Sequence, residues 1–138
     1  LYSLLYVSRA LIEGGDQDED VERIVRVSVE RNRSTAVTGA LIFTGARFAQ
    51  WLEGEEQAVK AIMASIARDP RHCEVVIIEE GRQERRCFAG WSLAYGGGST
   101  FAAATVERAL AGFRTGDSYA VRNLIRLLQE LARPVSGE

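Results

Sequence analysis

The sequence has few of the residues that most often carry chemistry: two cysteines, Cys73 and Cys87, and a single histidine, His72. Three soft ligands are too few for a four-ligand structural zinc site. One histidine, with no serine in a glycine elbow, gives little support to a Ser-His-Asp hydrolase. If each cysteine begins one strand of an antiparallel pair, the two fall at its opposite ends, and free thiols are expected rather than a disulfide. Charge of one sign is not in excess either: 17 Lys+Arg stand against 19 Asp+Glu, a formal net charge of −2. Such a chain has no basic field for a phosphate backbone or an acidic membrane, so no nucleic acid and no membrane is an expected partner. No apolar run nears the roughly 18 residues that span a bilayer, and the chain opens on strand-like sequence without a charged leader region, so a cytoplasmic protein is expected. Proline is rare as well, with two residues among 138, and 46% hydrophobic against 26% charged residues is the balance of one folded unit rather than a disordered chain.

The pattern of what is present predicts the elements. Tyr2 to Ser8, aromatic and apolar, reads as a strand, which Gly14-Gly15-Asp16 breaks. An acidic cluster from Asp18 suits a helix start, and Val21, Ile24, Val25 and Ser28 recur at helical spacing to about Asn32. Val27 and Val29 lie off that stripe, so the helix has more apolar surface than one sheet contact needs. Ala36 to Thr44, a Gly45-Ala46 turn and Arg47 to Glu53 make a hairpin. Glu55 to Arg68 is a helix with Val59, Ile62, Met63 and Ile66 on one face, stopped before Pro70. Cys73 to Glu79 is a strand apolar on both sides, and Phe88 to Tyr95 is the expected last strand. The order is βαββαββ. Gly96-Gly97-Gly98 reads as a flexible joint or a run of unusual backbone angles. Beyond it, Thr100 and Asp117 cap two helices, with stripes Ala102, Val106, Ala109, Leu110, Phe113 and Val121, Leu124, Ile125, Leu128, Leu131. This hairpin is the expected cover for the sheet face that the crossover helices leave open. The tail, Arg133 to Glu138, reads as disordered.

Two polar residues break the pattern. Strand alternation puts Gln50 on the core-like face of Phe48 and Leu52, and Tyr6 on the face of Tyr2 and Leu4. A buried amide left unpaired costs about 1–3 kcal/mol, so protein atoms or a polar ligand must meet it. A structural Tyr–Gln hydrogen bond is one reading, and a ligand site is the other. Asn32, at a helix end, and Asp69-Pro70-Arg71-His72, after a helix stop, each read singly as caps or turns. Taken together with Ile24 and Ile66, they outline a gap between two helices that suits a flat aromatic ligand. Trp91, near the end of the last strand, reads by itself as a core residue.

Several stretches together resemble a known family. Leu1 to Arg9, Arg31-Asn32 with Val37-Thr38-Gly39, Arg47-Phe48-Ala49-Gln50-Trp51-Leu52-Glu53-Gly54, Arg68-Asp69-Pro70-Arg71-His72 and Trp91-Ser92 are similar, in that order, to the BLUF domain, the blue-light sensor that uses FAD. The resemblance covers roughly residues 1–95 and implies a ferredoxin-like α+β sandwich with a mixed five-stranded sheet, followed over residues 96–138 by the glycine joint, the two-helix hairpin and the tail. It implies FAD as cofactor. Tyr6 matches the photoactive tyrosine, Gln50 the glutamine at the flavin N5/C4=O edge, and Trp91 the tryptophan of the last strand, the three together being the photoactive set that the resemblance implies. Asn32, with Arg31 beside it, matches the C4=O/N3 binder; Ile24 and Ile66 match the ring-sandwiching residues; Asp69, Arg71 and His72 match polar residues beside the pyrimidine edge and ribityl chain.

The implied mechanism is light-driven electron and proton transfer from Tyr6 to flavin, followed by a Gln50 hydrogen-bond switch that relays signal to a partner protein. A carboxamide suits this, because one end accepts and the other donates. The chain is then a sensor and not an enzyme, homo-oligomeric through its C-terminal helices. Two positions depart from the pattern. Leu93 replaces the methionine two residues after the tryptophan, and Ser65 stands where some relatives have a long basic residue, which leaves FMN or riboflavin open. The alternatives are an acylphosphatase-type hydrolase of similar fold using Arg31 and Asn32, and a flavin-free interaction module.

Overall fold

In the computed structural model of the protein, residues 1–12, 17–97 and 99–132 are described. They form strands β1 (Tyr2–Ala10), β2 (Thr38–Phe43), β3 (Arg47–Gly54), β4 (His72–Arg82) and β5 (Ala94–Gly97), with helices α1 (Gln17–Ser34), α2 (Glu56–Ala67), α3 (Thr100–Thr115) and α4 (Ser118–Leu131). The strands make one sheet in the order β4-β1-β3-β2-β5. Every pairing is antiparallel except β2 with β5, which is parallel, so the sheet is mixed and the fold α+β, as expected.

The sheet is covered on both sides, which is why Tyr2 to Ser8 is buried without a break instead of alternating. On one face Tyr2, Leu4, Tyr6, Leu41, Phe48 and Leu52 pack with Val21 of α1 and with Val59, Ile62 and Met63 of α2. On the other, Leu5, Val7, Ile42, Ala49 and Trp51 pack with Val106 and Leu110 of α3 and with Val121, Leu124 and Leu128 of α4. The helical hairpin thus covers the second face. Asp117 caps α4 as expected, accepting from the Tyr119 and Ala120 amides, while Ser99 rather than Thr100 caps α3 by accepting from Ala102. Phe113 departs from the expected α3 stripe and is 42% exposed.

The close of the sheet differs from expectation. Phe88 to Trp91 is not strand: the Trp91 amide bonds back to the Phe88 carbonyl at 3.0 Å, and Gly90 takes φ 86°, so the chain reverses there. Phe88 is drawn under the hairpin, fully buried against Trp51, and pairing resumes only at Ala94. β4 and β5 therefore lie at opposite edges of the sheet and never pair. Cys73 and Cys87 are free. The glycine joint is also different: Gly96 and Gly97 belong to β5, and neither has a left-handed φ. A Cβ on Gly96 would stand 2.5 Å from Leu131 Cδ2, so close approach to α4 explains that glycine. Gly39 is required more strictly, because its Cβ would fall 1.9 Å from the Trp51 carbonyl oxygen of the neighbouring strand. Gly14-Gly15-Asp16, Gly98 and the tail from Arg133 lie outside the described residues.

Candidate functional site

Between α1, α2 and the sheet lies a cleft lined by Tyr6, Ile24, Val27, Ser28, Arg31, Leu41, Phe48, Gln50, Ser65, Ile66, Asp69, Arg71 and His72. All the residues expected to form a site are in this wall except Asn32 and Trp91. Its enclosed volume is about 80 Å³. That is below the roughly 300–1,000 Å³ typical of ligand pockets, so a three-ring ligand needs α1 and α2 to part further.

β1 and β3 set the centre of the cleft. Their antiparallel register puts Tyr6 directly opposite Gln50. The Tyr6 hydroxyl donates to Gln50 Oε1 at 2.7 Å, both side chains being buried. Burial holds the Tyr6 phenol far above its ordinary pKa, against a smaller lowering effect of Arg31, so it keeps its proton at any physiological pH. Gln50 Nε2 is buried and has no partner. Turning the amide over would exchange the end that meets Tyr6 and still leave the other end unpaired. An orphaned donor of this kind is rare in folded proteins and calls for an acceptor from outside the chain.

The cleft rim is charged. Arg31 is half-buried, its basicity lowered by burial, and among the described residues it forms no ion pair. Its contacts to Asn32 Oδ1 are long, 3.4 Å from both Nε and Nη2. Arg71, in contrast, is held by Asp69, donating from Nε at 2.9 Å and from Nη2 at 2.6 Å. This contact holds the Asp69 carboxyl below its ordinary value. His72 spends both nitrogens on the protein: Nε2 faces the Ile66 carbonyl at 2.6 Å and Nδ1 meets Ser8 Oγ at 2.7 Å. A carbonyl can only accept, so Nε2 donates to it, while Nδ1 shares a hydrogen bond with the Ser8 hydroxyl. The ring stands edge-on to Tyr6 and Phe48, and it shapes the cleft rather than offering it a hydrogen bond.

Asn32 is fully buried just behind the wall, its Nδ2 donating to the Ser92 carbonyl at 2.8 Å. Its one donor group is thereby taken by the protein, and Asn32 lies outside the cleft wall. Trp91 is placed differently from its core reading: it precedes β5, is 39% exposed, and is absent from the cleft wall. Leu93 takes the buried place on the cleft side of the sheet. The lining residues Val27, Ser28, Leu41 and Phe48 are additions to the expected set. Val27 had a signal, since it was surplus to the α1 stripe. Glu53 had none in the periodicity except its charge: it is completely buried on the opposite face.

The chain is thus an α+β sandwich with a cleft between its crossover helices, and comparison with known proteins says which family this is. The profile of the BLUF family, sensors of blue-light using FAD, matches residues 1–94. The chain belongs to the BLUF family. It is 40% identical over 76 residues to the blue light- and temperature-regulated antirepressor BluF of Escherichia coli, covering 55% of this chain and 18% of that protein. To the photoactivated adenylate cyclase subunit beta of Euglena longa it is 34% identical over 94 residues, 67% of this chain and 11% of the relative. The chain therefore spans less than a fifth of the length of these curated relatives. Among solved structures, BlrB, a BLUF protein in its dark state, superposes with a TM-score of 0.70 at 27% identity over 90% of this chain and 93% of that one. Klebsiella pneumoniae BlrP1 with FMN and cyclic diGMP gives 0.63 at 30% identity over 70% of this chain and 25% of that one. The ferredoxin-like fold implied by the sequence is that of these neighbours. Among the described residues no helix is long and apolar enough to cross a membrane.

Proposed function

We propose that this chain is a blue-light photoreceptor domain that holds FAD non-covalently in the α1–α2 cleft and reads illumination through the Tyr6–Gln50 hydrogen bond. The observation that carries this reading is the Gln50 carboxamide, bonded to Tyr6 at one end and without a partner at the other, on a cleft wall. The edge of a flavin offers ring-nitrogen and carbonyl acceptors, the chemistry Gln50 Nε2 needs. Ile24 and Ile66 would flank the ring. Arg31, lacking a counter-ion here, would serve its carbonyl side, joined by Asn32 once its Nδ2 leaves the Ser92 carbonyl, with Asp69 and Arg71 at the polar rim and His72 as a wall.

Once excited by blue light, a flavin supplies a strong one-electron oxidant. Tyr6 is buried, close to Gln50, and holds its proton firmly in the ground state. Loss of an electron makes the phenol a strong acid, and its hydrogen bond gives the proton a direct route to Gln50 Oε1. The amide that receives it turns or tautomerises. Return of the electron and proton leaves Gln50 with its donor and acceptor ends exchanged, so the cleft presents a different hydrogen-bond pattern with no net chemistry. The chain thereby acts as a sensor and not as an enzyme. Trp91, exposed in this structure, belongs to the output side of the switch rather than to the wall.

The signal passes on to a separate effector protein, and a homo-oligomer formed through α3 and α4 is the proposed assembly. The segment 88–93 and β5 carry the change to the hairpin. Purified protein loaded with FAD, FMN or riboflavin tests the reading by its visible spectrum before and after blue light. A small reversible red shift that Tyr6→Phe abolishes while flavin is retained is the expected result. Bands that stay in place on illumination of the wild type would end it. Equal oligomeric mass and equal hydrogen-exchange protection of residues 100–132 in dark and lit samples would end the output part alone.

A further inference from the structure

Glu53 is completely buried and lies on β3 three residues after Gln50, on the other face of the sheet. A carboxylate there is costly unless its lone pairs are met, and here they are met by five donors. Oε1 accepts from Trp51 Nε1 at 3.1 Å, Gln83 Nε2 at 2.8 Å and the Cys87 amide at 2.8 Å. Oε2 accepts from Thr38 Oγ1 at 2.7 Å and the Phe88 amide at 2.9 Å. Three of the five come from the segment between β4 and β5, which has no ladder of its own at that point. The same segment reaches back to α1 behind the cleft wall, where the Ser92 carbonyl accepts from Asn32, and reaches forward to α4, where Phe88 packs in one cluster with Leu124 and Leu128. The mechanism above makes no use of this group.

We propose that the Glu53 carboxylate is a positioning residue that ties the cleft-lining strand β3 to the 83–93 segment and, through it, to the C-terminal hairpin, so that a change at Gln50 reaches α4. The inference rests on the photosensor reading. Its physical basis is that β3 carries both a cleft residue, Gln50, and the anchor of the output segment, Glu53, only three residues apart. A strand that shifts as Gln50 changes its bonds shifts Glu53 with it. The carboxylate then moves two amides and one side chain of the segment together.

The test uses the flavin-loaded full chain and Glu53→Gln, which keeps the shape but replaces one acceptor by a donor facing donors. In the dark, amide exchange at Cys87 and Phe88 is expected to rise about tenfold to a hundredfold, the size of a lost buried hydrogen bond. The light-induced red shift is expected to persist, because no cleft atom is touched. The light-minus-dark exchange difference over residues 100–131 is expected to fall severalfold. A merely structural Glu53 would lower stability and leave that difference intact, which overturns the proposal. A wild type that red-shifts without any exchange difference overturns it too, while a wild type without a red shift removes the photosensor reading itself. If Glu53→Gln does not fold, Gln83→Met removes one donor of similar length from the half-exposed side, and the same smaller exchange difference is required of it.

Discussion

The two faces of the sheet place one polar side chain each on the same strand and treat it in opposite ways. On the α1–α2 face, Gln50 has half of its amide satisfied and half not. On the α3–α4 face, Glu53 is completely buried and meets five donors. A fully paired buried polar group is an architectural element, whereas a half-paired one is a socket. On the proposed photosensor reading, the difference separates the face that receives a ligand from the face that transmits its state.

The comparison breaks first at Glu53. Glu53→Leu strands five donors, two of them backbone amides of the 83–93 segment, and should cost roughly 3–5 kcal/mol in urea unfolding of the apoprotein. A loss below about 1 kcal/mol would mean water already serves those groups. Next is the apolar part of the same face. Leu124 is completely buried in the hairpin cluster, and Leu124→Ala should cost about 2–5 kcal/mol with the flavin spectrum unchanged. On the cleft face the expected sign is different. The double variant Tyr6→Phe with Gln50→Leu removes both partners of one hydrogen bond and the orphaned nitrogen together, so apoprotein stability should stay within about 1 kcal/mol of wild type. The light response of that variant should nevertheless be absent. A double variant that still red-shifts would place the switch on other residues.

Most of this contrast can be read from the chain, up to a definable point. Period-two alternation puts Gln50 with Phe48 and Leu52 on one face of β3, and helical stripes put α1, α2, α3 and α4 close to where they lie. The surplus apolar Val27 on α1 likewise foreshadows a cleft wall. Local pattern fails where a distant group decides. Cys87-Phe88-Ala89 is apolar enough to pass for a strand, but the Cys87 and Phe88 amides are taken by a carboxylate more than thirty residues earlier, and the chain turns there instead. Trp91 is carried out of the sheet by that turn. The orphaned end of Gln50 is equally invisible to periodicity, which assigns a face but not a bonding partner.

A smaller effect sharpens the link between sheet and hairpin. A Cβ at Gly96 meets Leu131 Cδ2 at 2.5 Å, and that neighbour is the far end of a flexible side chain, so Gly96→Ala can be absorbed by rotating Leu131. The cost should be about 1 kcal/mol from overpacking. Its position at the β5–α4 contact means that any change in the light-minus-dark exchange difference over residues 118–131 should exceed what so modest a stability loss produces. An unchanged difference would restrict the transmission route to the Glu53 segment.

The smallest expected effect lies at the cleft rim and is a matter of acidity. Asp69 is held below its ordinary carboxyl pKa chiefly by the hydrogen bond from Arg71, with burial opposing. A carboxylate whose folded pKa is depressed contributes stability that is fully present above its unfolded value, near 3.9, and is lost as pH falls through the lower folded value. The pair is partly exposed, with side-chain accessibilities of 41% for Arg71 and 27% for Asp69, so water screens it and only a few tenths of a kcal/mol are expected. Asp69→Asn should therefore flatten the acid limb of the stability curve slightly and leave the curve above pH 5 displaced by a small constant amount. Bound flavin makes the measurement more exacting. If Arg71 is released toward the ligand on loading, the Asp69 contribution shrinks in the holoprotein and the acid limbs of wild type and variant converge. If the Asp69–Arg71 pair persists beside the flavin, their separation is the same with and without it. Comparing the two limbs thus tells whether the rim pair is a fixed wall of the cleft or a contact exchanged for the cofactor.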